Sequence, residues 1–332
     1  MKRLITLLVT LACVAVSNEP AAAYLKLGTR LGSGTVNLRW QEFPVRYFVS
    51  DEGADGVSST QLRDVVGRAF NTWTSVETAS LSVEFAGMTA ARPNDDDGMT
   101  VIGFVERRDQ DRTLGATSFL VDTVSGEIVE AEIYLNSAFS WSTAANGDPN
   151  RFDVESIALH EIGHLLGLGH SALGETELRN GGRRVLAAEA VMFPVASSAG
   201  SIVGRTLRED DIAGISDIYP SSIYRRDRGS ISGRITKSSQ GVLGAHVVAF
   251  NLRTGKLVGG FSLEEDGRFV IAGLEAGPYA LRVEPLDDGD IESFFDLTLN
   301  IDANFRARLH DRIIVVPRGG GTRDIQIRVE PK

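Results

Sequence analysis

Three histidines, His160, His164 and His170, stand four and six residues apart in the stretch His-Glu-Ile-Gly-His-Leu-Leu-Gly-Leu-Gly-His. On a helix, the first two share one face with Cβ atoms about 5–6 Å apart, close enough for both imidazoles to bind one metal ion. Gly167 is placed to end that helix, because glycine takes the left-handed backbone conformation without steric cost, and the turn brings His170 in as a third ligand. Three neutral imidazoles form a zinc ligand set that leaves one tetrahedral position open, which marks a catalytic rather than a structural zinc. Glu161 is placed beside the metal, where a carboxylate can take a proton from water and deliver it to a leaving amine. The chain holds five histidines, so the stretch uses most of them. Polar residues scattered on a buried helix would seldom give three histidines, a glutamate and a glycine at these offsets.

His160, Glu161, His164, Gly167 and His170 match the consensus His-Glu-x-x-His-x-x-Gly-x-x-His in full, and the chain resembles a metzincin zinc metallopeptidase. Ser171 and the run Val191-Met192-Phe193-Pro194, similar to the metzincin Met-turn, place the resemblance in the matrixin branch, over roughly residues 39–219. The resemblance implies an α+β catalytic domain: a twisted, mostly parallel sheet with an antiparallel edge strand, an active-site helix and a C-terminal helix. It implies one catalytic Zn2+, with Met192 supporting the metal from below. It also implies a cleft in which Leu114, Gly115 and Ala116 present backbone groups to an extended protein or peptide substrate.

The elements that must position these residues are legible in the patterning. Residues 43–50 alternate as a strand, with Val45, Tyr47 and Val49 on one face. Ser58 or Ser59 can cap a helix to about Val76, whose apolar stripe is Leu62, Val65, Val66, Ala69, Phe70 and Trp73. Further strands are expected at 81–85, 100–105, 113–122 and 127–136. Asp153 is the expected N-cap of the zinc helix, with Glu155 favouring its dipole and Val154, Ala158, Ile162 and Leu165 as its buried stripe. Residues 207–219 resemble the closing helix of a matrixin domain, with Asp210 and Asp211 expected in structural hydrogen bonds. Between His170 and Met192 the connection is longer than is usual in matrix metalloproteinases, so that family's cleavage preferences are not carried over. Asp95-Asp96-Asp97-Gly98 could bind Ca2+ through carboxylates, but its spacing is not that of an EF-hand, and it reads as a solvated acidic turn with no calcium assigned.

Lys2 and Arg3 before the apolar run from Leu4 to Val16, with Ala21-Ala22-Ala23 behind it, read as a secretory signal over residues 1–23. The product is expected in an extracellular or periplasmic compartment. Its loss removes Lys2, Arg3 and Glu19 and makes the formal charge of −10 one unit more negative, an acidic balance that argues against a nucleic-acid partner. The sole cysteine, Cys13, lies in that segment, so the mature chain has no disulfide. Cleavage before Cys13 would instead leave a lipidated N-terminus. Too few residues separate the signal from the first strand for a cysteine-bearing propeptide.

At 332 residues the chain is long enough for two cores. A catalytic domain over 24–221 is expected, then a hydrophilic linker over 222–229 and an all-β sandwich over 230–332. The strands of the sandwich are expected at Val247–Phe250, around Tyr279-Leu281-Val283, around Phe295-Leu297-Leu299 and around Ile325-Ile327-Val329. Its turns resemble those of carboxypeptidase-regulatory-like or Cna B-type modules, which implies spacing, stabilisation or binding of a cell-wall, matrix or glycan ligand. His246 and His310 lack ligand spacing, so a second histidine-rich zinc site is not expected. The chain is expected to act as a monomer. The competing reading is an exported binding or adhesion protein whose sandwich carries the function and whose metal region is inactive.

Overall fold

The computed structural model describes residues 4–7, 26–31, 34–93, 95, 97–122, 124–179, 182–286, 291–295 and 299–332. Cys13, Ala21-Ala22-Ala23 and Asp96, on which some of the expectations above fall, lie outside the described residues. The strands of the first part are β1 (Leu4–Leu7), β2 (Gly28–Leu31), β3 (Gly34–Asn37), β4 (Val45–Ser50), β5 (Val83–Thr89), β6 (Val101–Val105), β7 (Gly115–Asp122) and β8 (Ile128–Asn136). Helix α1 (Ser59–Thr74) lies between β4 and β5. The main sheet has the order β1-β7-β8-β6-β4-β5. Strands β5, β4, β6 and β8 run parallel, while β7 is antiparallel to β8.

Strand β1 pairs antiparallel with Phe119–Asp122, so β7 is the outermost strand only over its first half. The apolar run expected to be a leader is well suited to this, since any extended segment can satisfy an open strand edge.

Helix α1 forms where the stripe predicts, capped by Ser58, whose side chain accepts from Gln61 N, and every residue of the predicted stripe is buried. Short strands β9 (Trp141–Ser142) and β10 (Phe152–Asp153) lead into α2 (Val154–Leu165), the helix that carries His160 and His164. The connection after His170 folds into an antiparallel hairpin, β11 (Gly174–Arg179) and β12 (Gly182–Ala188). Helix α3 (Glu209–Ile218) then closes this part of the chain.

Over the expected linker the structure has a short helix. Residues Ser222–Asp227 form helix α4, capped by Ser221, and β13 begins at Arg228. Ser222, Arg225 and Arg226 are exposed, while Tyr224 donates its hydroxyl to Asp217 Oδ1 at 2.8 Å and Asp227 pairs with Arg226 and Arg318 at the surface.

The C-terminal region contains β13 (Arg228–Lys237), β14 (Gln240–Gly241), β15 (His246–Asn251), β16 (Leu257–Phe261), β17 (Arg268–Glu275), β18 (Gly277–Glu284), β19 (Arg308–Leu309), β20 (Ile314–Val316) and β21 (Gly321–Val329). They form two sheets, one built on β13, β14, β17 and β21 and the other on β15, β16, β18, β19 and β20. Ile231, Phe269, Val247 and Leu281 from the two sheets belong to one apolar core. The strand expected through Phe295 is not formed there. Ile291–Ser293 makes one 3-10 turn, Phe294 and Phe295 are both buried, and two adjacent buried side chains break the period-two alternation of a strand. Leu297 lies outside the described residues.

Candidate metal centre

Helix α2 is held rigid from both ends. Asp153 caps it, accepting from Ser156 N at 2.9 Å, and Arg205 grips the same carboxylate through Nε at 2.9 Å and Nη2 at 2.5 Å. In the middle, Trp73 of α1 donates its indole N–H to Leu159 O at 2.9 Å. At the far end Gly167 has φ +96° and donates to His164 O at 2.7 Å, and a Cβ there would stand 2.5 Å from Leu38 O. The chain therefore leaves the helix as the glycine predicted and returns His170 beside the first two histidines.

The three rings converge through their Nε2 atoms, 3.1 Å apart between His164 and His160 and 3.2 Å apart between His164 and His170. Each Nδ1 faces a backbone carbonyl: Val191 O at 2.7 Å for His160, Leu168 O at 2.8 Å for His164 and Ser293 O at 2.6 Å for His170. A carbonyl only accepts, so each Nδ1 carries the proton and each neutral ring presents a bare lone pair at Nε2. Three converging lone pairs cannot hydrogen-bond one another, and the contacts make sense only around a cation. A tetrahedral zinc with Zn–N of about 2.0–2.1 Å needs its ligand nitrogens about 3.3–3.4 Å apart, close to what the rings show. Burial lowers the pKa of His160, lowers that of His164 strongly and lowers that of His170 to about 3, so all three are in the neutral, ligating form near pH 7. The residues present therefore fit a zinc ion.

Glu161 is buried on the same helix and lines the cleft. Its Oε2 accepts from Thr117 Oγ1 at 2.8 Å, while Oε1 lies near Gly115, where an added Cβ would stand 3.2 Å away. Burial pushes its carboxyl up to about 7, against the opposing hydrogen bond from Thr117. Residues Val191 and Met192 lie close to the histidine-bearing helix. Val191 N and Met192 N donate to the buried Asp211 carboxylate at 2.9 and 3.1 Å. Met192 itself is buried and reaches the zinc helix at Gly163, where a Cβ would meet its Sδ at 2.3 Å.

A cleft of about 480 Å3 opens beside Glu161, lined by Leu114, Gly115 and Ala116 on one wall and by Val191, Phe193 and Pro194 on the other. The three residues assigned to substrate backbone thus flank the glutamate. Among the described residues, no strand pairs with 115–118 on the side away from β8.

Thr117 and Asp211's grip on the Met-turn are the functional contacts that the sequence reading did not contain. Strand alternation from Gly115 would have placed Thr117 on the same face as that glycine. Elsewhere, Asp97 approaches the buried Glu130 and Glu132, with carboxylate oxygens within 4.8 Å of one another. The described residues of the acidic turn, Asp95, Asp97 and Gly98, are themselves exposed, as expected from its composition. His246 is buried against Glu284 Oε1 at 3.1 Å, and His310 bonds within its own exposed turn. Neither joins the three-histidine cluster.

Fold and site define a three-histidine metal centre of the metzincin type on an α+β frame. The model of the matrixin family matches residues 39–220, more than half of the chain. The chain belongs to the matrixin family, whose members depend on zinc. It is 35% identical to Metalloendoproteinase 1 of Glycine max over 162 residues, 47% of this chain and 41% of that protein. It is 28% identical to Metalloendoproteinase 4-MMP of Arabidopsis thaliana over 209 residues, covering 60% and 54%, and 27% identical to Matrix metalloproteinase-23 of Homo sapiens over 152 residues, covering 41% and 36%. The chain spans about half the length of the curated relatives it matches. Among the described residues, no helix is long and apolar enough to cross a membrane.

Proposed function

We propose that the chain is a secreted zinc-dependent endopeptidase that cleaves extended segments of proteins or peptides. The observation that carries this reading is the convergence of three bare Nε2 lone pairs beside a buried carboxylate at the floor of an open cleft. Zinc bound there acidifies a water and polarises the scissile carbonyl. His160, His164 and His170 hold the ion, and Met192 packs beneath their helix. The half of β7 around Gly115 and Ala116 takes the substrate backbone as an added strand, so recognition depends little on side-chain identity.

Glu161 moves the proton. With a cation held by the three histidines, the Glu161 carboxylate would be ionised as water attacks. It accepts the proton of the attacking water, and the same proton passes to the nitrogen of the breaking C–N bond, leaving Glu161 ionised again. Thr117 fixes Oε2 and leaves Oε1 as the working oxygen.

Residues 1–23 are taken as the leader and 24–221 as the catalytic unit. The C-terminal sheets, over 230–332, are taken as a module of the carboxypeptidase-regulatory-like kind, suited to a cell-wall, matrix or glycan ligand. The test is chelator-sensitive digestion of casein by the purified full chain beside Glu161→Gln, with zinc content measured for both. One zinc per chain in both proteins, with a loss of about 10²–10⁴-fold in rate for the variant, is expected. Absence of stoichiometric zinc, or native activity in the variant, would overturn the reading.

A further inference from the structure

The ring nitrogens of His160 and His164 are fixed by carbonyls of their own domain, but that of His170 is fixed from the other end of the chain. Its Nδ1 meets Ser293 O at 2.6 Å, across 123 residues of sequence. The neighbouring Phe294 is buried, with its ring centroid 6.3 Å from the His170 ring in an edge-on arrangement, and it packs in turn on Phe261 of β16.

A second connection reaches the residue after the ligand. The buried Asp210 of α3 accepts from Ser171 Oγ at 2.5 Å through one oxygen and from Gly259 N of β16 at 2.8 Å through the other. Leu173 packs with Val248 of β15, and a Cβ on Gly259 would meet His246 Nε2 at 2.8 Å and Leu173 Cγ at 3.1 Å. At the same end of α3, Glu209 pairs with Lys256 at 2.8 Å and with Arg228. A Cβ on Gly273 of β17 would lie 2.7 Å from Ala213 Cβ, so the sheets press directly on the helix.

We propose that the C-terminal sheet region is a working part of the metal centre: the Ser293 carbonyl and the Asp210–Gly259 bond hold the third ligand in its ligating orientation. Ser293 and Asp210 are positioning residues, acting on zinc only through His170. A hydrogen bond to the distal nitrogen fixes both the tautomer and the ring angle, and such partners are typically worth 10–100-fold in metal affinity. Without this contact the loop after Gly167 would have one fewer constraint on the ring that completes the ligand set. The sheet region is then not a detachable spacer, and catalytic competence requires it to be docked.

This inference rests on the three histidines being the zinc ligands, and the experiment separates the two. Full-length Phe294→Ala, which removes the ring behind Ser293 and His170, and full-length Gly259→Ala, which wedges β16 away from Leu173, are loaded with zinc. Each is challenged with a chromogenic chelator near pH 7.5. Phe305→Leu serves as the control: Phe305 is buried in a different apolar cluster from Phe294, so the variant lowers stability without removing the ring behind Ser293 and His170. Both test variants are expected to hold zinc at least about tenfold more weakly than the wild type. Their cobalt-substituted forms should show an altered visible spectrum, while Phe305→Leu keeps the native affinity and spectrum at a lower melting temperature. Native zinc affinity and spectrum in both test variants would overturn the inference while leaving the site intact, and so would equal losses in all three variants. A wild type that binds no stoichiometric zinc would instead remove the reading of the site itself.

Discussion

Thr117 donates its hydroxyl to Glu161 Oε2 at 2.8 Å, tying the strand that borders the cleft to the carboxylate at its floor. A neutral donor on a buried carboxylate contributes about 1.5–3 kcal/mol, equivalent to one to two powers of ten in rate if the bond is needed to aim Oε1. Thr117→Val is therefore expected to lower kcat about tenfold or more with KM within about twofold, and Thr117→Ser to restore most of it. Steady-state kinetics on a fluorogenic peptide checks this. An unchanged kcat in the valine variant would leave the threonine with only a packing function.

Gly163 lets the zinc helix lie directly on the Met-turn. An alanine Cβ would stand 2.3 Å from Met192 Sδ and 2.9 Å from Trp73 Cζ2. The methionine end can move, but the Trp73 ring is pinned by its bond to Leu159 O. Overpacking of this kind costs about 1–3 kcal/mol. Gly163→Ala should lose that much in urea unfolding, and Gly163→Ala with Met192→Ala should lose less than the two single losses added together. Strict additivity would mean that the two residues are not in energetic contact.

The cap of the zinc helix is also an ion pair, since Asp153 accepts from Ser156 N and pairs with Arg205 at 2.5 Å, both side chains being largely buried. Asp153→Ala removes the cap and strands the arginine, whose remaining bonds to Ala144 O and Ala145 O soften the penalty. A loss of about 2–3 kcal/mol is expected. Asp153→Asn, which keeps an acceptor for Ser156, should lose less. The two variants unfolding at the same urea concentration would show that the charge and not the cap is what matters.

The zinc ligands were legible because their geometry is local: i and i+4 on a helix, then a glycine turn, with no partner needed from elsewhere. The stripe of α1 was legible for the same reason, and all of its residues are buried. Trp73 read as packing alone, because its bond to Leu159 O spans 86 residues and no periodicity encodes such a partner. Ser293 left still less trace, since it acts through a backbone carbonyl, which every residue type possesses. Residues 222–227 read as hydrophilic from composition, and the arginines there are exposed; what composition did not encode is the short capped helix and the surface pairing of Asp227 with Arg226 and Arg318. The edge strand was legible as a strand but not as having an outer neighbour, because pairing with Leu4–Leu7 is set by an open edge and not by residue identity.

Asp210 supplies a pH dependence whose sign is fixed by its burial. Desolvation, reinforced by the adjacent Asp211 and Glu209 carboxylates, raises its pKa from 3.8 to about 7 against the hydrogen bonds from Ser171 and Gly259 N. The neighbouring cations Arg228 and Lys256 are engaged by Glu209, and His246 lies close to Gly259. A carboxyl with a raised folded pKa favours the folded state most below its unfolded pKa, and that contribution is lost as pH rises through the folded value. Asp210→Asn lacks this titration. The stability of the wild type minus that of Asp210→Asn should therefore fall by roughly 2 kcal/mol between pH 5.5 and pH 8, and then flatten. Urea unfolding of both zinc-loaded proteins across that range measures it. A difference that stays flat over this range would mean that Asp210 is ionised in the folded protein throughout, stabilised by its two donors more than burial penalises it.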